Sequence, residues 1–240
     1  MKLFLAGDSS VFIRTGDEIS PDLSKMNRSL IDFLNRLKPK GVRELVASYL
    51  GVMVYFDPFI TGISEIEEII KNIKADDLHA LTEEVRGIVV PVAYGGEYGP
   101  DIFHVARLNS ITPGDVAAIH STGNYIVHML GFTPGFSYLG GMDKKIASPR
   151  KAEPAIRVEP GSVGIAGDQT GIYPVESPGG WQIIGRTPLI LFDPSRKPAS
   201  LLHAGMSVRF RAIDNNEFWF ISEEIASGEY HFEEFSINKQ

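Results

Sequence analysis

The chain has 240 residues with 23 basic and 30 acidic side chains, a formal net charge of -7, 43% hydrophobic residues and no cysteine. The length allows a sizeable core in one domain or two, and the missing cysteines exclude disulfides, thiolate nucleophiles and cysteine-ligated metals. An acidic chain with no evident basic patch does not suit nucleic acid or an anionic membrane surface, and no apolar run approaches the ~20 residues of a membrane span.

Taken in order, residues 2–6 and 10–15 form one strand broken by a turn at Gly7 and Asp8. The apolar start is cut off before signal-peptide length, so the expected setting is the cytoplasm. Ser20 followed by Pro21 starts a helix with Leu23, Met26, Leu30, Phe33, Leu34 and Leu37 at helical spacing, ended by Pro39 and Gly41. Two strands follow at 42–47 and 51–57. A second helix opens at Ser64 with a Ser-x-x-Glu capping box to Glu67, burying Ile66, Ile69, Ile70 and Ile73. Residues 74–84 read as linker or surface helix, and 85–93 as a β-branched strand. The order β-α-β-β-α-β is that of a ferredoxin-like split βαβ domain.

Beyond Tyr94 glycine and proline become frequent and strands predominate, which places a junction at residues 81–88 and divides the chain into a small α/β domain, 1–84, and a β-rich domain, 85–240. Short helices are expected at 100–108 and after Thr112-Pro113, with Asp115 at the positive end of the second. An alternating strand at 124–131 leads into an aromatic loop, 132–142, carrying Phe132, Phe136 and Tyr138. Strands at 189–192 and 207–212 and a short helix capped by Ser222 complete a small closed barrel. The fold class is α+β.

Residues 161–188 hold seven of the 24 glycines together with Pro174, Pro178 and Pro188, so this stretch must turn repeatedly between short strands. Its side chains suit a binding site at a barrel wall. Gln169, Thr170, Tyr173 and Arg186 are candidate substrate contacts, and Phe132, Phe136, Tyr138 and Trp181 candidate pocket walls or partner contacts. Arg186 needs a carboxylate, either Asp168, Glu176 or that of a ligand. The alternative is a β-meander whose glycines serve turns only. His128, beside the aromatic loop, is a candidate general base or a buried structural histidine. His120 at a helix end is explained by the helix dipole. The six histidines form no close ligand pair, so no metal site is expected. The loop at 95–99 lacks the Gly-Lys-Ser/Thr ending of a Walker loop, and no Ala-Met-Lys-Met biotin site is present.

Three motifs carry a family resemblance: EYGPD at 97–101, HMLGFTPGFSYLGGMD at 128–143 and AGDQTGIYPVESPGGWQIIGRTP at 166–188, with GDEI at 16–19 and YFDP at 55–58 in the first half. With them the chain resembles the carboxyltransferase-domain subunit 1 family, whose members include the B subunit of 5-oxoprolinase, allophanate hydrolase subunit 1 and the KipI sporulation-kinase inhibitor. The resemblance implies a small α/β domain followed by a cyclophilin-like β-barrel. It also implies a non-autonomous subunit that opens 5-oxo-L-proline to L-glutamate with two partners, the carboxyltransferase-domain subunit 2 (the C subunit) and the A subunit. ATP would be used by the assembled complex and no cofactor bound by this chain alone. The alternatives are a KipI-like kinase inhibitor and a carboxyltransferase fragment of a biotin-dependent urea carboxylase/allophanate hydrolase system. Two departures from the family stand out: Ser137 where members commonly carry Pro, and the run 158–161. Ser137 imitates a nucleophile elbow only superficially, because Leu139 holds the place of the second glycine.

Overall fold

The computed structural model describes residues 1–78 and 85–237, so the junction expected at 81–88 begins outside the described residues. The chain divides into two compact units, Met1–Glu83 and Glu84–Gln240.

The first unit contains β1 (Lys2–Leu5), β2 (Ser10–Arg14), α1 (Pro21–Leu37), β3 (Val42–Ala47), β4 (Gly51–Phe56) and α2 (Ile63–Asn72). Its sheet runs β1-β2-β4-β3 with every neighbour antiparallel. Strand β4 is therefore inserted between β2 and β3, the pair that α1 connects. The fourth strand corrects the expectation from sequence: it is β1, from the start of the chain, whereas residues 85–93 belong to the second unit. A β-branched run encodes a strand but not its partner, and that pairing is decided by contacts far away in sequence.

Helix α1 forms where its signals predict. The Ser20 side chain accepts from the Leu23 N–H at 3.1 Å, and Lys38 at φ 49° ends the helix by returning its N–H to the Leu34 carbonyl. Leu30 and Leu34 join Val11, Ile13, Val52, Val54, Phe56, Ile66 and Ile70 in one core. Buried Asn27 fixes the helix over the sheet by accepting from the Thr15 hydroxyl and donating to the Ser48 carbonyl at 3.0 Å. Helix α2 starts before Ser64. Its capping carboxylate is Glu65, which accepts from the Gly62 N–H at 3.0 Å, while Glu67 pairs with Lys71 one turn on.

The second unit contains β5 (Val85–Tyr94), α3 (Ile102–Leu108), α4 (Pro113–Thr122), β6 (Asn124–Leu130), β7 (Ser137–Gly140), β8 (Ala155–Val158), β9 (Ser162–Ala166), β10 (Gln169–Ile172), β11 (Ser177–Gly179), β12 (Gln182–Arg186), β13 (Ser207–Ile213), α5 (Asn215–Ser227) and β14 (Glu234–Ile237). Seven strands close into a barrel in the order β12-β9-β10-β7-β6-β13-β5, because β12 returns to β5 through Gly185↔Tyr94 and Arg186↔Ala93. Only β13 and β5 run parallel, and β14 pairs with the start of β5. A barrel this narrow is filled by its own side chains, here including Val90, Val92, Val127, Leu139, Val163, Ile165, Ile172, Ile184 and Val208. A separate two-stranded sheet, β8–β11, completes the unit.

Three elements differ from the sequence reading. Residues 189–192 make a single bridge, Phe192↔Ser200, in place of a strand. Part of the aromatic loop is itself a barrel strand, β7. Helix α5 is 13 residues long and capped by Asp214, whose carboxylate accepts from the Glu217 N–H at 2.8 Å; Ser222 lies inside it and donates to the Phe218 carbonyl.

Candidate functional site

Strands expose alternate residues on opposite faces, so the parity of each candidate decides where it points. Thr170 shares the barrel interior with Ile172 and Ile165 and is fully buried. Its hydroxyl donates to the Gly164 carbonyl at 2.9 Å and lies 2.9 Å from His120 Nε2. Having given its single proton to Gly164, that hydroxyl accepts from His120, which makes His120 the Nε2–H tautomer. Nδ1 then accepts from the Tyr94 hydroxyl at 2.7 Å, and the Tyr125 hydroxyl donates to the His120 carbonyl at 2.7 Å. Burial holds the imidazole pKa down to about 3 and pushes the Tyr94 phenol well up, so both are neutral at physiological pH. His120 is thus a neutral core residue, not a cation on the helix dipole, and Thr170 is a structural partner of it.

Tyr173 has the opposite parity. It is buried in a second cluster with Phe136, Val158, Ala166, Trp181 and Ile183, on the outer side of the barrel wall. The rings meet edge to face: Phe136 and Tyr173 at 5.0 Å and 88°, Phe136 and Trp181 at 5.6 Å and 83°, Tyr138 and Trp181 at 5.8 Å and 65°. Gly171 in the wall beneath has no side chain, and the ring edges of Phe136 and Trp181 take the space a Cβ would claim. Phe132 caps this group at 5.6 Å from Phe136 and remains 64% exposed. His128 sits at a β-bulge, the residue skipped between Val127↔Leu139 and Met129↔Tyr138. Its buried ring packs over bare Gly140. Ser137 is fully buried at the start of β7, and its hydroxyl has no hydrogen-bond partner among the described residues.

The four expected substrate contacts are not brought together. Gln169 pairs with Ala166 and Arg186 with Ser162, the two ends of five-residue β9. They are about 13 Å apart along the strands and two strands apart across the wall. Arg186 finds neither expected carboxylate: its Nε donates to the Pro160 carbonyl at 2.8 Å, and Glu176 pairs with Arg157.

Sequence reasoning misses a cationic segment beside the aromatic cluster. Gln182 donates to the Pro149 carbonyl at 3.0 Å, and the Lys151 N–H donates to the Gly180 carbonyl at 2.7 Å, so residues 149–151 are fastened alongside 180–182. Lys151 Nζ lies 2.5 Å from the Asp101 carboxylate, which also accepts from the Ile183 N–H at 2.7 Å; this joins the EYGPD motif to β12. Arg150, exposed between the two fastenings, forms no ion pair among the described residues. The signal is present in the run KKIASPRK, residues 144–151, with four cations in eight residues. Burial raises the Tyr138 and Tyr173 phenols while the Arg150 charge pulls the other way, so both stay protonated at neutral pH with the guanidinium within electrostatic reach. Among the described residues, no three His, Asp or Glu side chains are grouped to hold a metal. No described helix is long and apolar enough to cross a membrane.

This pairing of a small antiparallel α/β sheet with a closed barrel carrying the three motifs on its wall is that of a carboxyltransferase module. The chain belongs to the family "carboxyltransferase domain, subdomain C and D", which it matches over residues 1–202. Among individual proteins it is 40% identical over 228 residues to the B subunit of 5-oxoprolinase from Bacillus subtilis, covering 91% of this chain and 95% of that one. A conserved uncharacterized protein of Pyrococcus horikoshii has a crystal structure matching at TM-score 0.55 and 46% identity, over 91% of this chain and all of the other. The Kluyveromyces lactis urea carboxylase matches at TM-score 0.80 over 98% of this chain and 24% of its own length; at 19% identity that likeness is one of fold.

Proposed function

We propose that this chain is the B subunit of an ATP-dependent 5-oxoprolinase, opening 5-oxo-L-proline to L-glutamate together with the carboxyltransferase-domain subunit 2 (the C subunit) and the A subunit. The observation that carries this reading is the near full-length match to the Bacillus subtilis protein of that name. The urea carboxylase fragment is supported only weakly, by likeness of fold and by a distant match, 25% identical over 91% of this chain, to the urea amidolyase of Saccharomyces cerevisiae, and the kinase-inhibitor reading by no separate observation. We take the first unit as a ferredoxin-like variant whose fourth strand comes from the N-terminus, and the barrel as cyclophilin-like.

The chemistry divides between chains. A lactam is an unreactive amide, and hydrolysis coupled to ATP needs phosphate and metal contacts. The 95–99 loop of this chain lacks the Gly-Lys-Ser/Thr ending of a Walker loop, so ATP is assigned to the complex. This chain supplies a wall that orients the substrate, and Phe132 offers an apolar contact to one of the partner chains. Gln169 and Arg186 act separately, since one small ring does not reach both.

The test is reconstitution. Purified chain alone is expected to release no glutamate from 5-oxo-L-proline and ATP, and the three-subunit mixture to do so. Equal glutamate release from the other two subunits in the absence of this chain would contradict the reading.

A further inference from the structure

From the fastened segment beside the aromatic cluster we infer a carboxylate-binding cradle on the outer barrel wall, in which Arg150 receives the carboxylate of a small ring-bearing acid and the partly exposed Tyr138 ring, backed by buried Trp181, flanks that ring. Arg150 lies outside all three of the motifs that mark the family.

Four observations lead there. First, Arg150 has no acidic partner among the described residues, while three acids of this wall are engaged elsewhere: Asp101 by Lys151 and the Ile183 N–H, and Glu176 and Glu159 by Arg157. A guanidinium without an acidic partner keeps its five donors for solvent or a ligand. Second, the backbone carrying it is held on both sides, Pro149 by the Gln182 side chain and Lys151 by the Gly180 carbonyl. Arg150 therefore stands on a fixed base, and little ordering is left to be done when a ligand arrives. Third, the ground beside it is aromatic. Tyr138, only partly buried, meets Trp181 edge to face at 5.8 Å, giving flat apolar surface next to a planar cation. Fourth, the two fastenings pair Lys151 with Gly180 and Pro149 with Gln182, which sets Arg150 opposite Trp181 and the Tyr138 ring that meets it; in keeping with that, burial raises the Tyr138 and Tyr173 phenols and the Arg150 charge pulls both the other way.

The cradle rests on the 5-oxoprolinase reading, because it names which end of that substrate class this chain holds. 5-Oxoproline is a five-membered lactam with one carboxylate, matching one fork and one aromatic flank. The cradle binds and orients; no bond is made or broken there, and Arg150 is a binding residue.

The test uses the reconstituted three-subunit complex with Arg150→Gln, Arg150→Lys and, as a comparison, Arg209→Gln on β13. Steady-state kinetics is combined with inhibition by 5-oxo-L-proline's carboxylate-free analogue, 2-pyrrolidinone. Arg150→Gln is expected to raise KM for 5-oxo-L-proline about ten- to a hundredfold, leaving KM for ATP and the thermal midpoint of the mutant chain unchanged. Arg150→Lys recovers little, since it keeps charge but loses the fork. Arg209→Gln is expected to leave KM for 5-oxo-L-proline at the wild-type value. Inhibition by 2-pyrrolidinone is expected to be the same in wild type and Arg150→Gln, because it has no carboxylate to lose. An active wild-type complex whose KM is indifferent to Arg150→Gln overturns the cradle and leaves the 5-oxoprolinase reading standing. An inactive wild-type complex overturns that reading, and the cradle with it. A fall in midpoint with unchanged KM assigns Arg150 to structure and overturns the cradle.

Discussion

The interior and the outer wall of the barrel are built from the same strands by alternate residues, yet they solve opposite problems. Inside, every polar group of the His120 chain is answered: Tyr94 to Nδ1, Nε2 to Thr170, Thr170 to Gly164, Tyr125 to the His120 carbonyl. Outside, one residue further along each strand, four rings pack around a bare glycine beside an arginine with no acidic partner among the described residues. A closed polar chain in a low-dielectric core specifies one arrangement and has nothing left for a ligand. An unanswered cation on a fixed base is the reverse. The difference teaches that residue type alone does not mark a site: Thr170 and Tyr173 come from one motif, and only their parity separates scaffold from wall.

The sharpest way to break this comparison is to empty the interior. His120→Ala leaves a cavity, strands the Tyr94 hydroxyl and removes the donor to Thr170, and is expected to destabilise the second unit by about 3–5 kcal/mol. Both tryptophans, Trp181 and Trp219, lie in that unit, so urea unfolding followed by intrinsic fluorescence reads it without the first unit.

Acid addresses the same residue next. His120 titrates at about 3 when folded against 6.5 when free. Between those values the unfolded chain binds the extra proton, so stability is lost as pH falls below about 6.5, by ~1.4 kcal/mol per pH unit down to about 3. The fluorescence-detected midpoint is expected to decline across that window, and His120→Gln to flatten the His120 share of the decline.

Thr170→Val preserves shape but removes the hydroxyl between His120 and Gly164, with an expected loss of about 1–3 kcal/mol. Smallest for folding is Phe132→Ser, expected to move the midpoint by less than about 0.5 kcal/mol because the ring is 64% exposed. The same change is expected to weaken assembly with the partner chains about tenfold by sedimentation. Tight assembly despite Phe132→Ser would move the partner contact elsewhere.

Much of this is readable from residues alone. Ser20-Pro21 marks the start of α1, Thr112-Pro113 that of α4, and the glycine-rich stretch is indeed barrel wall. What is not readable falls into two kinds. Non-local pairing leaves no local trace, so pattern alone gives residues 85–93 to the wrong sheet and Gln169 and Arg186 to one site. Faces are ambiguous wherever both sides of a strand are covered: all five residues of β9 are buried, so alternation does not separate interior from outer wall. Helix α5 hides for a related reason, since Phe218, Trp219, Phe220 and Ile221 run together while only Phe218 and Ile221 are buried. The Arg150 segment escapes notice because its four cations average into an acidic chain.

The most direct measurement places Thr170→Val and Arg150→Gln side by side, each with a urea midpoint on the isolated chain and a KM for 5-oxo-L-proline in the reconstituted complex. Interior and outer wall predict a crossed result: Thr170→Val lowers the midpoint and leaves KM alone, while Arg150→Gln leaves the midpoint alone and raises KM. A substrate defect in Thr170→Val with a wild-type midpoint would contradict the account, because it would put the site inside the barrel.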